Sequence, residues 1–432
     1  MMMTSIIRNR PFLGHAWLTL VLLVCCSCAT NPVTGHRELR LISPQEEISL
    51  GQENFAPSQQ LQGGPMVLFP EVGSYVAEVG RRLAAVSDRP ELPYEFVVVD
   101  SGEANAWALP GGKIAVHRAL LTELDDEAEL AAVLGHEIVH ATAGHSAQAM
   151  QRGTALQLGL GVLSSLMQGS AYSPLYNMGA NLGSQLVMQG YSRAQESEAD
   201  HYGMLTMQRA GYDPTAAVDL QKTFVHLFTG HEPGVLGTLF QSHPPSVARV
   251  LANQALLQKI GAGGLREKER YHQRLAALFR AKPAYDLHAK ALANLAQKDY
   301  VQARQYAAQA AAALPQEALF PLTLGDIAMA QQDYGTALDW YSKAATLNRQ
   351  YFLPSFSAGV AAIKAKDTSL AQRFLQESLV ILPTPEAHYL LGRLALQDGS
   401  REEAIGHLKA AAQSEGQIGQ AARALLARMG AL

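Results

Sequence analysis

The chain has 432 residues, which is enough for two or three domains. Its composition, with 48% hydrophobic and 17% charged residues, is that of an ordinary globular protein. The formal net charge is −4, whereas nucleic-acid-binding domains usually carry a basic surface, so the composition gives no support to nucleic-acid binding.

The N-terminus predicts export from the cytoplasm. Arg8 and Arg10 precede an apolar stretch, residues 17–24, that is too short to span a membrane, since a span needs roughly 20 apolar residues. This arrangement is typical of a secretory signal peptide, which we predict over residues 1–27. The alternative interpretation is a buried core helix.

The three cysteines of the chain, Cys25, Cys26 and Cys28, all lie at the end of this stretch. No later cysteine can pair with them, although exported proteins usually contain cysteines in numbers that pair as disulfides. The cluster instead resembles a bacterial lipoprotein signal, so Cys28 is predicted to carry a lipid, with Cys26 as the alternative. Such a lipid anchors a chain without spanning the membrane. We therefore predict a periplasmic protein held at the inner leaflet of the outer membrane.

A helix start and two strands come next. Ser43-Pro44-Gln45-Glu46 is a capping box with proline at the first helical position, which predicts a helix. Residues 94–99 predict a strand, and Pro110-Gly111-Gly112 predicts a turn before a second strand at 113–116. If this second strand lies at a sheet edge, its backbone can pair with an extended peptide; an interior strand is the alternative. Under the edge interpretation, the predicted substrate-binding residues are Asn105, Gly112, Lys113, Ile114 and Ala115.

The most informative motif is His136-Glu137-Ile138-Val139-His140. Asp125 or Asp126 is predicted to cap the helix that carries it, and Gly144 to end that helix. Residues four apart lie on one face of a helix, so the two imidazoles can bind one zinc ion. Glu137 lies to the side, where it can act as a general base on water. This is the H-E-x-x-H pattern of zinc proteases, and it predicts one Zn²⁺ per chain.

A catalytic zinc site has a third protein ligand and a position for water. His145 does not fit the pattern H-E-x-x-H-x-x-G-x-x-H, which would place histidine at Ser146, so we interpret His145 as a helix-end histidine. Glu196 and Asp200 lie four apart on one face of a predicted helix. We predict that Glu196 is the third ligand and that Asp200 accepts the outer N–H of a ligand histidine. For this pair alone, a solvated helix face is the alternative.

These motifs resemble metallopeptidase family 48, the gluzincin family that includes the CAAX prenyl proteases and the bacterial heat-shock membrane protease. The resemblance covers roughly residues 28–275. It implies an α+β zincin-like protease domain over 28–275 with a small sheet. It also implies that His243 is a catalytic-site residue, either as a fourth ligand in a closed state or as a donor to the oxyanion; a surface-loop histidine is the alternative. The motifs that carry the resemblance are His136-Glu137-x-x-His140, Glu196-x-x-x-Asp200, the segment 105–112, and Ser242-His243-Pro244-Pro245 with Arg249.

The C-terminal part repeats with a period of 34 residues. Ala303, Ala337, Ala371 and Ala404 recur at spacings of 34, 34 and 33, and glycine and aspartate recur with them. This period is typical of tetratricopeptide repeats, in which each unit is a pair of antiparallel helices. We predict a repeat solenoid over residues 276–432; a generic alanine-rich bundle is the alternative. The predicted fold class is mainly α, with an α+β zincin-like protease domain followed by a helical solenoid.

Together these features predict a lipid-anchored zinc endopeptidase of the periplasm. The family branch with C-terminal helical repeats implies that its clients are misfolded or stalled outer-membrane proteins, and that the repeats hold them and their assembly machinery. A chaperone role in assembly is implied with it. The alternative is a non-enzymatic chaperone or scaffold with a structural zinc, and a metal-dependent hydrolase of non-peptide amides is a third interpretation.

Overall fold

The computed structural model of the chain describes residues 28–39, 42–149, 190–230 and 236–432. The predicted signal peptide, residues 1–27, lies outside the described residues, whereas the backbone of Cys28 lies within them. Every helix in the described ranges is too short or too polar to cross a bilayer.

The N-terminal part contains two small sheets and a layer of helices. In chain order, its elements are β1 (Cys28–Thr30), β2 (Arg37–Leu39), α1 (Pro44–Leu61), α2 (Pro70–Ala84), β3 (Glu95–Val99), β4 (Ala106–Leu109), a 3-10 turn (Pro110–Gly112), β5 (Lys113–His117), α3 (Arg118–Leu121), α4 (Glu127–Thr142), α5 (Arg193–Arg209), α6 (Thr215–Gly230), α7 (Gly237–Ser242), α8 (Val247–Ile260) and α9 (Lys268–Arg274). The predicted capping box is present at the start of α1, where Ser43 Oγ accepts a hydrogen bond from Glu46 N and Ser43 N donates to the Glu46 carboxylate.

The three-stranded sheet has the strand order β3-β5-β4. β3 and β5 are parallel, with Glu95 opposite Lys113, while β4 and β5 are antiparallel. Gly111, with φ 73°, makes the tight turn between β4 and β5, because glycine adopts this left-handed conformation without a steric cost. β5 is thus the central strand, and the predicted edge-strand role of Lys113, Ile114 and Ala115 is wrong. The backbone of this strand already pairs with a neighbour on each side, so it offers no free edge to a peptide.

The hydrophobic core of the N-terminal part lies between this sheet and helices α2 and α4. Val72, Val76 and Leu83 of α2 are fully buried, and they belong to one cluster with Ile114 of β5 and Leu134 of α4. Burying each of these side chains contributes about 1.5–3 kcal/mol to stability. The cluster therefore fixes α4, which carries the H-E-x-x-H motif, against the sheet.

The C-terminal part is a series of antiparallel helix pairs. Its helices are α10 (Ala276–Ala296), α11 (Tyr300–Ala313), α12 (Leu319–Ala330), α13 (Tyr334–Leu347), α14 (Phe352–Lys364), α15 (Thr368–Ile381), α16 (Pro385–Gln397), α17 (Arg401–Ala412) and α18 (Gln417–Arg428). The four alanines that recur in the sequence are fully buried, and Asp299, Asp333 and Asp367 each cap the second helix of a pair. The predicted fold class, mainly α with a small sheet and a helical solenoid, is confirmed. The predicted boundary after residue 275 falls between α9 and α10 and stays a prediction.

Among the described residues, several contacts join the solenoid to the N-terminal part, and they include two that involve specific side chains. At the first, the guanidinium of Arg118 lies 3.3 Å from the ring centroid of Tyr285 in α10. At the second, the side-chain amide of Gln60 in α1 donates to Gln350 O at 2.7 Å and accepts from Phe352 N at 3.0 Å. The two parts are therefore joined by specific contacts as well as by the chain itself.

Candidate metal centre

Helix α4 brings the two predicted imidazole ligands together. The helix begins at Asp126, whose carboxylate accepts a hydrogen bond from Glu129 N at 2.9 Å. His136 and His140 lie one turn apart, and their Nε2 atoms are 3.0 Å from each other. His140 is fully buried, so its ring is held in place by the surrounding protein.

Helix α5 carries the predicted third ligand. Ser192 and Gln195 form a capping box at its start, which places Glu196 in the first turn. Glu196 Oε1 lies 3.4 Å from His140 Nε2, and Oε2 lies 3.6 Å from His136 Nε2. Glu196 is only 2% exposed, so its carboxylate lies beside the imidazoles and not on a solvated helix face.

His243 reaches the same place from the loop after α7. Its Nδ1 lies 3.0 Å from Glu196 Oε1 and 3.3 Å from His136 Nε2, and its Nε2 lies 3.5 Å from Glu137 Oε1. In the part of the chain that the structure describes, His136, His140, Glu196 and His243 are the one group of three or more such side chains whose donor atoms converge within 4.8 Å.

The spacing and chemistry of these donors fit a zinc ion. The ligand atoms of a tetrahedral zinc ion, bound at about 2.0–2.1 Å, lie roughly 3.3 Å from one another. The two Nε2 atoms and the Glu196 oxygens are separated by 3.0, 3.4 and 3.6 Å. Imidazole nitrogens with a carboxylate oxygen are also a donor set that zinc prefers. Glu137 Oε2 is buried without a hydrogen-bond partner, which leaves an acceptor at the site.

A buried ion-pair network surrounds the ligands. His136 Nδ1 lies 3.0 Å from Asp200 Oδ1, the contact expected from the sequence. Arg249 bridges both acidic residues of α5: its Nη1 lies 2.7 Å from Glu196 Oε2, and its Nε and Nη2 donate to Asp200 at 2.6 and 2.7 Å. Burial raises the pKa of Asp200, but hydrogen bonds from Arg249 and His136 outweigh it and lower the pKa below its usual value. Asp200 is therefore ionised and can accept a hydrogen bond from the N–H of His136.

Burial and charge give Glu137 and His243 opposite characters. Burial raises the pKa of Glu137, although His243 and His136 partly oppose it. Burial by itself lowers the pKa of His243, but the carboxylates of Glu196 and Glu137 raise it to about 9. Glu137 is therefore suited to take up a proton, and His243 is suited to donate a hydrogen bond at neutral pH.

Sequence reasoning misses three side chains at this site: Arg249 in its bridging role, His145 and Tyr191. Tyr191 stacks on His140 with ring centroids 3.6 Å apart. His145 is buried, and its Nδ1 lies 3.0 Å from His140 Nδ1, so the interpretation as a simple helix-end histidine omits its main contact. The position of Tyr191 directly before the capping box of α5 is the one sign in the sequence of its location.

The predicted substrate-binding residues do not form one surface. Asn105 lies next to the centre, where its Oδ1 accepts a hydrogen bond from Ser242 Oγ at 3.3 Å. Lys113 instead pairs with Glu95 at 3.1 Å within the sheet. The sheet edge that contacts α4 is β4, so any pairing of a peptide with this edge would involve β4 and not β5. The role of Gly112 stays a prediction.

An apolar pocket opens beside the centre. It borders His136 and Glu137 and has a volume of about 60 Å³. A pocket of this kind beside reactive groups is suited to an apolar substrate side chain. Its walls are formed mainly by Val133, Met204, Met207, Leu220, Phe224 and Leu239.

Several known proteins are similar to a part of this chain. The beta-barrel assembly-enhancing protease of Yersinia pestis is 35% identical over 181 residues, which are 40% of this chain and 37% of that protein. The protein of the same name from Escherichia coli (strain K12) is 34% identical over 197 residues, which are 44% of this chain and 40% of that protein. The mitochondrial metalloendopeptidase OMA1 of Schizosaccharomyces pombe is 32% identical over 192 residues, which are 44% of this chain and 55% of that protein.

The chain thus spans less than half the length of these two bacterial relatives. Residues 70–257 match the sequence profile of peptidase family M48. This range includes the whole converging group together with Glu137. The chain thus contains a region, residues 70–257, that resembles the peptidases of family M48.

Proposed function

We propose that this chain is a zinc-dependent endopeptidase. The observation that carries the proposal is the convergence of three donors from two separate helices, His136 and His140 of α4 and Glu196 of α5. Glu137 lies in the same buried site with an unpartnered oxygen. The similarity of residues 70–257 to peptidase family M48 supports peptide bonds as the substrate.

The residues of the site have distinct roles in this proposal. His136, His140 and Glu196 hold the metal, and Asp200 orients His136. Zinc, when bound, supplies Lewis acidity that polarises the scissile carbonyl and lowers the pKa of water. Glu137 takes the proton of the attacking water and returns it to the leaving amine.

His243 is the second catalytic residue of the proposal. In the metal-free site, the carboxylates of Glu196 and Glu137 raise the pKa of His243 to about 9, which favours the protonated ring. A protonated ring can donate a hydrogen bond to the oxygen that becomes negative during attack. Its Nδ1 also lies 3.0 Å from Glu196 Oε1, a position compatible with a fourth ligand in a closed state. A ligand histidine must be neutral, so the two roles require different protonation states.

The proposed location and clients follow from the N-terminus, the repeats and the relatives. The predicted signal peptide and a lipid on Cys28 would hold the protein in the periplasm, at the inner leaflet of the outer membrane. Two of the relatives are named beta-barrel assembly-enhancing proteases. We therefore propose misfolded or stalled outer-membrane proteins as clients, held with their assembly machinery by the repeats, and a chaperone role in their assembly.

A second function, a non-enzymatic scaffold with structural zinc, has one observation in its favour. Structural zinc sites have four protein ligands, and His243 supplies a fourth donor within 4.8 Å of the others. In that case the repeats would assist assembly while the metal only stabilises the fold.

Replacing Glu137 by Gln separates these two functions. The amide keeps the size of the side chain but cannot accept the proton, so cleavage of an unfolded outer-membrane protein should fall by about 100-fold or more. Zinc content, measured by elemental analysis, should stay at one ion per chain. Glu53→Gln, at an exposed position of α1, is the matched control and should cleave at the wild-type rate.

Two further measurements complete this test. A chelator should stop cleavage by the wild-type protein, and His243→Ala should slow it while zinc remains bound. If the zinc-loaded wild-type protein cleaves no unfolded barrel protein, while Glu137→Gln assists assembly as well as wild type does, the scaffold function replaces the protease.

A further inference from the structure

The two imidazoles of α4 have different partners on the side away from the proposed metal. Both present Nε2 to the centre, where these atoms lie 3.0 Å apart. His136 Nδ1 faces a carboxylate oxygen of Asp200 at 3.0 Å. His140 Nδ1 instead faces Nδ1 of another histidine, His145, at 3.0 Å. A ligand imidazole usually donates its outer N–H to a carboxylate, a carbonyl or water, so this histidine partner needs an explanation.

The proton positions of the pair follow from the geometry. If His140 presents the lone pair of Nε2 to the metal, its proton is on Nδ1, which then donates to His145. His145 Nδ1 must accept this hydrogen bond, so the proton of His145 is on Nε2. That nitrogen lies 3.4 Å from Glu198 Oε1, an acceptor. His140, His145 and Glu198 thus form a chain of hydrogen bonds. With one arrangement of protons, each donor in this chain faces an acceptor.

Glu198, at the far end of this hydrogen-bond chain, is held by the N-terminal hairpin. Asn31 is fully buried between β1 and β2, and its Nδ2 lies 3.4 Å from Glu198 Oε1 and 2.9 Å from Glu38 Oε1. Glu38 Oε2 accepts a hydrogen bond from Gln148 Nε2 at 2.9 Å. Val33 packs against a small apolar cluster from the facing sides of α4 and α5. The hairpin therefore covers the outer side of the two metal-binding helices and restrains Glu198.

We propose that His145, oriented by Glu198 and the hairpin of residues 28–39, is the positioning residue of His140. It fixes the ring orientation and the tautomer that exposes Nε2 to the metal, and it makes no contact with substrate. This inference rests on the proposed zinc site. It assigns a role to His145, and it links the hairpin that begins at Cys28 to the metal site through Asn31.

A purely structural role for His145 makes a different prediction from a positioning role. His145 is 2% exposed, and a phenylalanine ring could fill most of its volume. The Phe variant, however, has no acceptor for His140 Nδ1–H. A positioning role thus predicts a specific loss of metal binding, whereas a packing role predicts a loss of stability in the metal-free protein.

The test compares full-length His145→Phe and Glu198→Leu with wild type. Zinc affinity is measured by competition with a chromophoric chelator, and the Co²⁺-substituted proteins are compared by their visible absorption spectra. Removing an outer partner of a ligand typically weakens metal binding by about 10–100-fold, and we expect this loss in His145→Phe. Glu198→Leu should lose affinity in the same direction, since His145 can then place its proton on either nitrogen. His201→Phe, at an exposed position of the same helix as Glu198, is the matched control and should bind zinc like wild type.

The results separate the inference from the function on which it rests. If wild type binds no stoichiometric zinc, the proposed function fails. If wild type binds zinc and both variants bind it equally tightly, with unchanged Co²⁺ spectra, the positioning role of His145 is wrong. If His145→Phe does not fold, Glu198→Leu decides the question, because the Glu198 side chain is 21% exposed and lies at the rim of the network.

Discussion

At the scale of single residues, Arg249 holds the acidic side of the metal centre together. One guanidinium contacts Glu196 and Asp200, and all three side chains are buried. Two carboxylates this close would repel each other in a medium of low dielectric constant, so one of them would become protonated. Arg249 prevents this, and thereby keeps Glu196 able to bind a cation and Asp200 able to accept from His136.

Replacing Arg249 by Met should therefore destabilise the protein and weaken metal binding. Removing one partner of a buried ion pair costs about 3–5 kcal/mol, because the remaining charge is uncompensated. Chemical denaturation of the metal-free protein measures this loss. Arg209→Met, which removes an exposed pair with Asp88, should cost at most about 1 kcal/mol. Equal losses in the two variants would contradict the role given to Arg249.

At the scale of elements, the metal centre depends on the close crossing of α4 and α5. Glycines of the two helices face each other at this point: a Cβ on Gly135 would lie 3.2 Å from Gly203 O, and a Cβ on Gly203 would lie 3.1 Å from His136 N. The missing side chains allow the helix backbones to approach closely. This approach sets the distance between the two imidazoles and Glu196.

Gly203→Val should push the two helices apart. The added side chain meets backbone atoms, which cannot rotate away, so we expect a loss of about 1–3 kcal/mol from overpacking. Zinc affinity should fall as well, since Glu196 moves relative to His136. Gly73→Ala is the control: nothing lies within 4 Å of its added Cβ, and alanine favours the interior of helix α2. A Gly203→Val protein with wild-type zinc affinity would show that the crossing does not set the ligand distances.

At the scale of the whole molecule, a buried acid lies where the solenoid meets the N-terminal part. Glu317, between α11 and α12, is 2% exposed and accepts a hydrogen bond from Tyr285 OH at 2.5 Å. Burial, followed by the nearby Asp100 carboxylate, raises the pKa of Glu317 to about 8. Arg118, which donates to Asp100, opposes this shift.

Stability at this contact should therefore decrease with rising pH. The folded state binds the Glu317 proton more tightly than the unfolded state, so this contribution is complete below pH 4.5 and is lost as the pH rises to about 8. Denaturant midpoints at pH 5 and pH 8 measure the effect. Glu317→Gln, which remains neutral, should lose less stability over this interval than wild type. Glu402→Gln, at an exposed position of α17, serves as control, and parallel pH dependences in all three proteins would refute the assignment.

The sequence is sufficient to predict the features that depend on local spacing. The capping box at Ser43, the imidazole pair of α4 and the repeat period of the solenoid all belong to this class. The strand order of the sheet does not belong to this class. β3 pairs with β5, although β4 lies between them along the chain, and tertiary packing decides that pairing. For the same reason the edge-strand prediction fails.

Sequence spacing is even less able to predict the residues that contact the metal ligands on the side away from the metal. His145 reaches His140 because Gly144, with φ 74°, turns the chain after α4. A turn of this kind is predictable as a helix end, but the direction in which the next side chain points is not. Tyr191 and Arg249 come from distant segments, and their contacts exist only in the folded chain.

The contacts between the solenoid and the N-terminal part restrict how the two parts can move relative to each other. A domain held at one point can rotate about that point, but the solenoid is held at Tyr285 and also at Gln350 and Phe352. It therefore cannot rotate about either site without breaking the contacts at the other. A force on the outermost helix pairs would therefore be transmitted to α1 and to Arg118, which lies directly after β5. The same force would reach the sheet that packs against α4.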